Sequence, residues 1–370
     1  MKKIGLLGFG SVGSSFYDLL TEHPILSKEY KIQVILVQSR TKKRRQNVQE
    51  LLVFSTSDFL QCQIDILIDA SNGEEPSSEI IRRCLQKGID VISSNKVAVK
   101  NHFYEFNELA ISKNIAFLFE ASTVSGIPII HALQELVLED EIFSMSGILN
   151  GSTNYCLSRV FLDNKTLEEA VEEAKHLGYL ESDPTQDLDG FDSLRKIIIL
   201  SNIAYGVDIL EESCHRSSLT SISEEMILYL KEQGYILKYI ATSSYSNNEV
   251  EVSVEAVALK ENHFIAQINQ ETNIITIHSK NRGMLSWIGK GAGGIPTASA
   301  IISDLFQIRN KTYLMTKTEQ IQKINSKEST SLSEYFVETK KGEFIHYESI
   351  NINDLKTQNK EAICFCKVKR

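Results

Sequence analysis

No stretch of this chain approaches the roughly twenty consecutive apolar residues that a helix needs to cross a bilayer, so a membrane span is not expected. The apolar run in MKKIGLLGFG is broken by glycine and too short for a signal peptide, and Asp18 follows soon after. Cysteine is sparse. Six are scattered (Cys62, Cys84, Cys156, Cys214, Cys364, Cys366), with no Cys-x-x-Cys pair and no Cys/His spacing that suits a metal. Reduced core thiols in a cytoplasmic protein are the expectation. Excess positive charge is missing too: the net charge of −9 argues against a nucleic-acid partner. Only Lys42-Lys43-Arg44-Arg45 runs against that balance, and a solvated helix start accounts for most of such a run. What is present, 42% hydrophobic and 24% charged residues over 370 positions, is the composition of a globular protein with room for two cores.

The run KIGLLGF (3–9) is apolar and leads into glycines, as a buried parallel strand does when it enters a tight turn. A helical stretch (12–20) follows, then KIQVILV (31–37). The runs DILIDA (65–70), DVISS (90–94) and IAFLFEA (115–121) alternate with helix-like segments such as SSEIIRRCLQKG (77–88). This alternation predicts an α/β fold whose N-terminal part, residues 1–135, is a Rossmann-like doubly wound dinucleotide-binding domain. From 136 to 288 amphipathic helices give way to YILKYIATSS, EVEVSVEAVAL, HFIAQI and NIITIHS, which read as strands. An α+β catalytic and dimerisation domain is expected there, its four strands forming an open sheet against which two copies pack. The segment GKGAGGIPTASAIISDLF (289–306) starts a helix that returns to the first domain, over about 289–320. KINSKESTSLSE (323–334) reads as a polar linker, and 321–370 as a linker with a short C-terminal extension.

Gly8-Phe9-Gly10-Ser11-Val12-Gly13 fits G-x-G-x-x-G between a strand and a helix, the context this pattern needs. Gly8 permits the turn, Gly10 lets a pyrophosphate approach the backbone, and Gly13 lets helix and strand pack closely. An NAD site usually places an acid at the end of the second strand. Here the chain reads Val37-Gln38-Ser39-Arg40-Thr41-Lys42-Lys43. With no carboxylate to repel it, a 2′-phosphate pairs with Arg40 and with Lys42 or Lys43, which favours NADP over NAD. Arg44 and Arg45 are left facing water.

The stretch ESDPTQDLDGFDSLRK (181–196) crowds five carboxylates into twelve residues. A calcium loop is excluded: with Asp187, Asp189 and Gly190 at loop positions 3, 5 and 6, position 12 falls on Lys196 instead of a glutamate. On a helix starting near Gly190, residues Asp192, Lys196, Ile199 and Ile203 lie within about 60° of one another. The ion pair thus shares a stripe with isoleucines, and a lysine in apolar surroundings needs a partner or a task. A surface i, i+4 pair has the same spacing and stays an alternative.

Taken with Asn95-Lys96, EASTVSGIPII (120–130), GILNGSTNY (147–155), GYLESDP (178–184) and GAGGIPTASA (291–300), these motifs resemble the homoserine dehydrogenase family from residue 4 to about 308. The resemblance implies NAD(P)-dependent interconversion of L-aspartate 4-semialdehyde and L-homoserine, on the route to threonine and methionine, by a cytoplasmic homodimer. It implies Lys196 as proton donor, Asp192 as its holder and a substrate contact, and Lys96 as a second catalytic cation near the nicotinamide. Glu181, Asp187 and Tyr179 would contact substrate, with Glu181 on its ammonium group. Ser71, Ser93, Gly178 and Gly291 would join the cofactor contacts. A monovalent cation, Na+ or K+, would be held by oxygens, mostly backbone carbonyls, of Glu120, Thr123, Ser125 and Ile127. The chemistry suits the residue types, because an aldehyde accepting hydride needs a proton at its developing alkoxide and a positioned ammonium supplies it.

Three features depart from the family. Thr123-Val124-Ser125 replaces valine followed by small residues, and a β-branched residue at 124 disfavours a positive φ. Lys290 stands where proline is common. The tail after 334 is too short for the ACT regulatory domain of many bacterial members, which makes control by threonine doubtful. Two other readings remain open on these residues: a dehydrogenase of another small amino acid or aldehyde, and a nucleotide-binding regulatory protein that has lost turnover. Retention of Lys96, Glu181, Asp192 and Lys196 together argues against the latter. His131 and His176 receive no role.

Overall fold

The structure, a computed structural model, describes residues 1–41, 44, 47–314, 323–327, 332–359 and 361–369. Lys42, expected among the cofactor contacts, lies outside the described residues. The chain forms two compact units. The first comprises Met1–Glu139, Asn202–Asp208 and Lys290–Gln322, the second Asp140–Ser201, Ile209–Gly289 and Lys323–Arg370.

In the first unit six parallel strands, β1 (Lys2–Leu7), β2 (Tyr30–Leu36), β3 (Leu52–Val53), β4 (Ile66–Asp69), β5 (Asp90–Ser93) and β6 (Phe117–Leu118), stand in the order β3-β2-β1-β4-β5-β6. The apolar runs of β1 and β4 are buried on both faces, as a sheet covered by helices requires. The order reverses between β1 and β4, which is where a doubly wound sheet binds nucleotides. The helix Gly294–Asn310 belongs to this unit and adds Ala298, Ile301 and Leu305 to the core that Ile4, Leu6 and Phe16 share.

The second unit contains β7 (Ile142–Ile148), β8 (Asp208–Leu210), β9 (His215–Arg216), β10 (Tyr235–Ser246), β11 (Glu249–Lys260), β12 (Thr272–Ser279), β13 (Gly283–Lys290), β14 (Lys323–Asn325), β15 (Ser333–Thr339), β16 (Phe344–Ile350) and β17 (Ala362–Lys369). Its main sheet runs β13-β12-β7-β10-β11-β17-β15-β16, with β9 beside β11, while β14 pairs with β8. Three expectations change. HFIAQI is not a strand. Phe264–Gln267 forms a 3₁₀ turn capped by His263, with the adjacent Ile265 and Ala266 both buried instead of alternating. The polar segment from 323 is no plain linker, since it begins with β14. The C-terminal residues, expected as a short extension, add β15, β16 and β17 to the sheet, with β17 parallel to β11. They also bury their own apolar cluster of Tyr335, Val337, Ile350, Ile352 and Leu355.

One face of this sheet carries a row of hydroxyls. Ser146 of β7 lies opposite Thr276 and Thr242, and Thr242 lies opposite Ser253. Hydrogen bonds join Thr242 to Ser253 (2.8 Å) and Thr276 to Ser286 (2.9 Å). Ser146, Thr242 and Ser253 line a groove of about 510 Å³ together with Leu332, Tyr335 and Lys367 among others.

Candidate active site

β1 ends at Gly8, whose φ is +84°. A Cβ there would lie 2.6 Å from the carbonyl oxygen of Ala70, so only glycine fits both the turn and the approach of the β4 end. The helix Ser11–Glu22 starts after Gly10 with no side-chain cap, and its first N–H groups remain for a ligand anion. The start of the helix Gly294–Asn310 lies against it, close enough that a Cβ on Gly294 would meet Ser11 Oγ at 2.4 Å. Beside the turn opens a cleft of about 370 Å³ lined by Gly8, Phe9, Gly10, Ser39, Arg44 and Ser71 among others, with no acidic side chain among its described lining residues. This cradle fits a dinucleotide.

Arg40 is exposed and outside that lining, its guanidinium 4.8 Å above the ring of Phe54, which does line the cleft. Arg44, left to solvent by the sequence, instead lines the cleft and donates to the Ser39 carbonyl (3.0 Å). Of the described cations here, Arg44 thus lines the cleft where Arg40 was expected to.

Ser71, Ser93 and Lys96 are linked through Asp69, at the end of β4 and fully buried. Its Oδ1 accepts from the Ser71 N–H (3.0 Å) and hydroxyl (2.6 Å) and from Ser77 Oγ (3.2 Å), and its Oδ2 accepts from Ser93 Oγ (3.1 Å). Burial pushes this carboxyl above its ordinary range. Ser93 Oγ accepts the Asn95 N–H (3.1 Å), and Asn95 caps the helix Lys96–Asn101. Lys96 stands half-buried at its first turn.

On the helix Phe191–Tyr205, Asp192, Lys196, Ile199 and Ile203 are all buried, as are most of the helix's other residues, so the ion pair does lie in apolar surroundings. Lys196 Nζ lies 2.7 Å from Asp192 Oδ2 and donates to the Leu149 carbonyl (2.8 Å). The lysine is 5% exposed and the aspartate 4%, which excludes the surface-pair alternative. The turn before the helix is fixed by Gly190. Its φ is +78°, and a Cβ would meet the Tyr239 hydroxyl at 2.4 Å.

Asn150 was overlooked in the sequence. Its Nδ2 donates to Asp187 Oδ1 (2.6 Å) and to Asp192 Oδ2 (3.0 Å), while its Oδ1 caps the helix Gly151–Leu162 by accepting the Thr153 N–H (2.9 Å). An asparagine directly before a helix is a recognisable cap signal, and that was the available clue. The other acids of 181–192 divide. Asp183 accepts from the Thr185 hydroxyl (2.6 Å) and N–H, bonds that hold it below the usual carboxylate range. Asp189 accepts from Ser218 Oγ (2.6 Å), and its carbonyl accepts from Arg216. Both shape the turn. Glu181 is exposed. The Tyr179 ring lies 4.9 Å from that of Tyr155, tilted by 51°, and the Tyr179 carbonyl accepts from Ser152 Oγ. Gly178 has φ +77°.

The segment expected to hold a cation is deeply buried in the first unit: Glu120 1%, Thr123 2%, Ser125 7% and Ile127 1% exposed. The Glu120 carboxylate already accepts the N–H groups of Ile130 (2.9 Å) and His131 (2.8 Å) and faces the His131 ring. Burial pushes it up to about 7, with His131 pulling the other way. His131 reaches on to Asp304 (2.8 Å), whose Oδ2 accepts the Glu120 N–H (3.1 Å). Thr123 Oγ1, by contrast, is buried with no hydrogen-bond partner among the described residues, an oxygen that a hard cation would satisfy. Val124 does not take a positive φ. Gly126 is the residue under constraint: its N–H donates to the Lys290 carbonyl (2.9 Å), and a Cβ would lie 2.1 Å from that oxygen. Position 290 acts here through its carbonyl, which proline also has, so lysine replaces it without loss of this contact. Gly291 pairs likewise, its carbonyl accepting the Ser125 N–H (3.2 Å).

A parallel sheet with a glycine cradle at its switch point, and a buried ammonium–carboxylate pair on a helix, define the class as a nicotinamide-dependent oxidoreductase. Comparison with known proteins narrows it. The family model described as homoserine dehydrogenase matches residues 128–306, and the one described as homoserine dehydrogenase, NAD binding domain, matches residues 8–120. A homoserine dehydrogenase of Helicobacter pylori is 32% identical, covering 97% of this chain and 88% of its own length; that of Bacillus subtilis is 30% identical over 83% and 72%. The crystal structure of S. aureus homoserine dehydrogenase at pH 6.5 superposes with a TM-score of 0.82 at 26% identity, covering 100% of this chain and 98% of that one. A hyperthermophilic archaeal homoserine dehydrogenase in complex with NADPH gives 0.73 at 26%, over 85% and 99%. The chain belongs to the homoserine dehydrogenase family, NAD(P)-dependent oxidoreductases acting on a CH–OH group. Among the described residues no helix is long and apolar enough to cross a membrane.

Proposed function

We propose that this enzyme interconverts L-aspartate 4-semialdehyde and L-homoserine with NADP as preferred cofactor, in the cytoplasmic synthesis of threonine and methionine. The buried Asp192–Lys196 pair carries this reading. When bound, the reduced nicotinamide supplies a hydride to the carbonyl carbon. Lys196 gives its proton to the carbonyl oxygen as negative charge develops there, and takes it back in the oxidation direction. Asp192 keeps that lysine charged and aimed, and touches substrate. Glu181 and Asp187 bind the substrate's ammonium group, with Tyr179 beside them, and Lys96 is the second catalytic cation. Gly8 to Gly13, Ser71, Ser93, Gly178 and Gly291 contact the cofactor.

The acid-free cleft with Arg44 in its wall and Arg40 over Phe54 supports NADP, since both cations suit a 2′-phosphate. Thr123 Oγ1 and backbone carbonyls of the 120–127 segment would hold Na+ or K+ and fix that segment. The hydroxyl face of the second unit's sheet is the proposed homodimer surface, supported by the apolar side chains exposed near it, Leu332 (67%), Met284 (53%) and Ile288 (58%).

The test is cofactor reduction by L-homoserine at alkaline pH, followed by absorbance with NADP and with NAD. Folded protein that reduces neither overturns the activity, and a strong preference for NAD overturns the cofactor assignment. Lys196→Ala is expected to lower kcat by about 10³-fold while cofactor affinity stays within a few-fold; activity near the wild-type level would make Lys196 structural.

A further inference from the structure

Asn150 meets the active carboxylates at a junction the chain builds from two consecutive residues. β7 ends at Ile148, and the next residue, Leu149, presents its carbonyl to Lys196 Nζ (2.8 Å). Asn150 then presents its amide nitrogen to Asp192 Oδ2, the atom that also holds Lys196. One dipeptide therefore holds both members of the pair, the cation by a main-chain oxygen and the anion by a side-chain nitrogen. The same nitrogen lies 2.6 Å from Asp187 Oδ1, so it stands between two carboxylates from different elements, the short helix Thr185–Leu188 and the helix Phe191–Tyr205. Asn150 is 5% exposed, and its cap bond to Thr153 fixes which end of the amide faces the acids, since the oxygen is already committed.

We infer that Asn150 is a positioning residue for the hydride-transfer reaction: its amide keeps Asp187 and Asp192 ionised side by side and thereby holds the Lys196 ammonium at its working place. Two carboxylates this close disfavour each other's charge unless a donor sits between them. Were either to take up a proton, Asp192 would loosen its grip on the lysine or Asp187 would lose its attraction for a cationic substrate. The amide supplies N–H without adding charge, so the net charge of the cluster stays with Asp187, Asp192 and Lys196. Among the described residues, Cys156 on the helix that Asn150 caps is a further titratable group within electrostatic reach of Asp187. Burial and Asp187 push its thiol up to about 12, so it stays neutral in the working range.

This inference rests on the assignment of Lys196 as proton donor, which the Lys196→Ala variant tests separately. The discriminating variants are Asn150→Ser and Asn150→Asp. Both are good helix caps, and neither places an amide donor between the acids. The expected result is a fall in kcat of about 100-fold for Asn150→Ser, the scale of a misplaced catalytic group, and at least as large for Asn150→Asp. In both, the acid limb of the kcat profile moves to higher pH, while the KM for the nicotinamide cofactor and the melting temperature stay near wild type. An unchanged kcat and pH profile in both variants would reduce Asn150 to a cap and overturn the inference. Loss of folding or of cofactor binding in both would overturn it as well, by making the amide a structural tie. If Lys196→Ala kept full activity the proton-donor assignment would fall instead, whatever the Asn150 variants did.

Discussion

The two arginines at the nucleotide cleft make separable contributions. Arg44 forms part of the wall and is steadied by the Ser39 carbonyl, whereas Arg40 is exposed with its guanidinium over the Phe54 ring. A charge-assisted contact to phosphate contributes about 1.5–3 kcal/mol. Arg44→Ala should therefore raise the KM for NADPH by about 10–100-fold and leave that for NADH nearly unchanged; Arg40→Ala should do the same more weakly. Steady-state kinetics with both cofactors decides it. Lys238 poses a different question, because it is 1% exposed and bonded to three neutral oxygens: Ile268 O (2.6 Å), Asn269 Oδ1 (3.0 Å) and Asn154 Oδ1 (3.2 Å). Burial lowers it to about 8 from 10.5. Between those values the unfolded chain binds more protons than the folded one, so stability rises with pH. The cost of burying the charge, about 3 kcal/mol, is fully present below pH 8 and relieved toward pH 10.5. Urea unfolding at pH 7 and pH 9.5 should show a gain for wild type that Lys238→Met lacks.

At the level of elements, the helix Phe191–Tyr205 is aimed by what precedes it. Arg216 lies 3.7 Å over the Phe191 ring and donates to the Asp189 carbonyl, while Gly190 sits under the Tyr239 hydroxyl. Gly190→Ala should cost about 1–3 kcal/mol through its left-handed φ and the clash, and should lower kcat by displacing Asp192. Thermal melting and turnover measure the two effects, and Tyr239→Phe in the same background should restore part of each. This helix was legible because Asp192 and Lys196 are four residues apart and their isoleucines continue the same period. The glycine turn was legible for the same local reason. Asn150 was not, since its partners lie 37 and 42 residues away. HFIAQI failed as a strand because His263 caps a turn whose buried residues are adjacent. Lys290 looked anomalous in the sequence because the atom that matters there is a carbonyl, which every residue possesses.

For the whole molecule, the hydroxyl row of β12, β7, β10 and β11 is the surface on which self-association is expected. An arginine in its middle, Thr242→Arg, should halve the mass found by sedimentation equilibrium while melting remains cooperative; an unchanged mass would move the interface elsewhere. The place of β17 in the same sheet sets the order of assembly. It meets β11 at three residue pairs (Val257–Lys367, Ala258–Val368, Leu259–Lys369) and β15 along its other edge. In the sheet's pairing among the described residues, the hairpin of β15 and β16 connects to the earlier strands through β17, while Tyr235 of β10 packs on Phe336 of β15 directly. On the ribosome the hairpin therefore cannot take its paired place in the sheet until residues 362–369 have emerged. Until then β11, covered by β9 at Ser253 and Val254, leaves Val257–Leu259 of its edge open to neighbouring nascent chains, an interval in which a chaperone has something to hold.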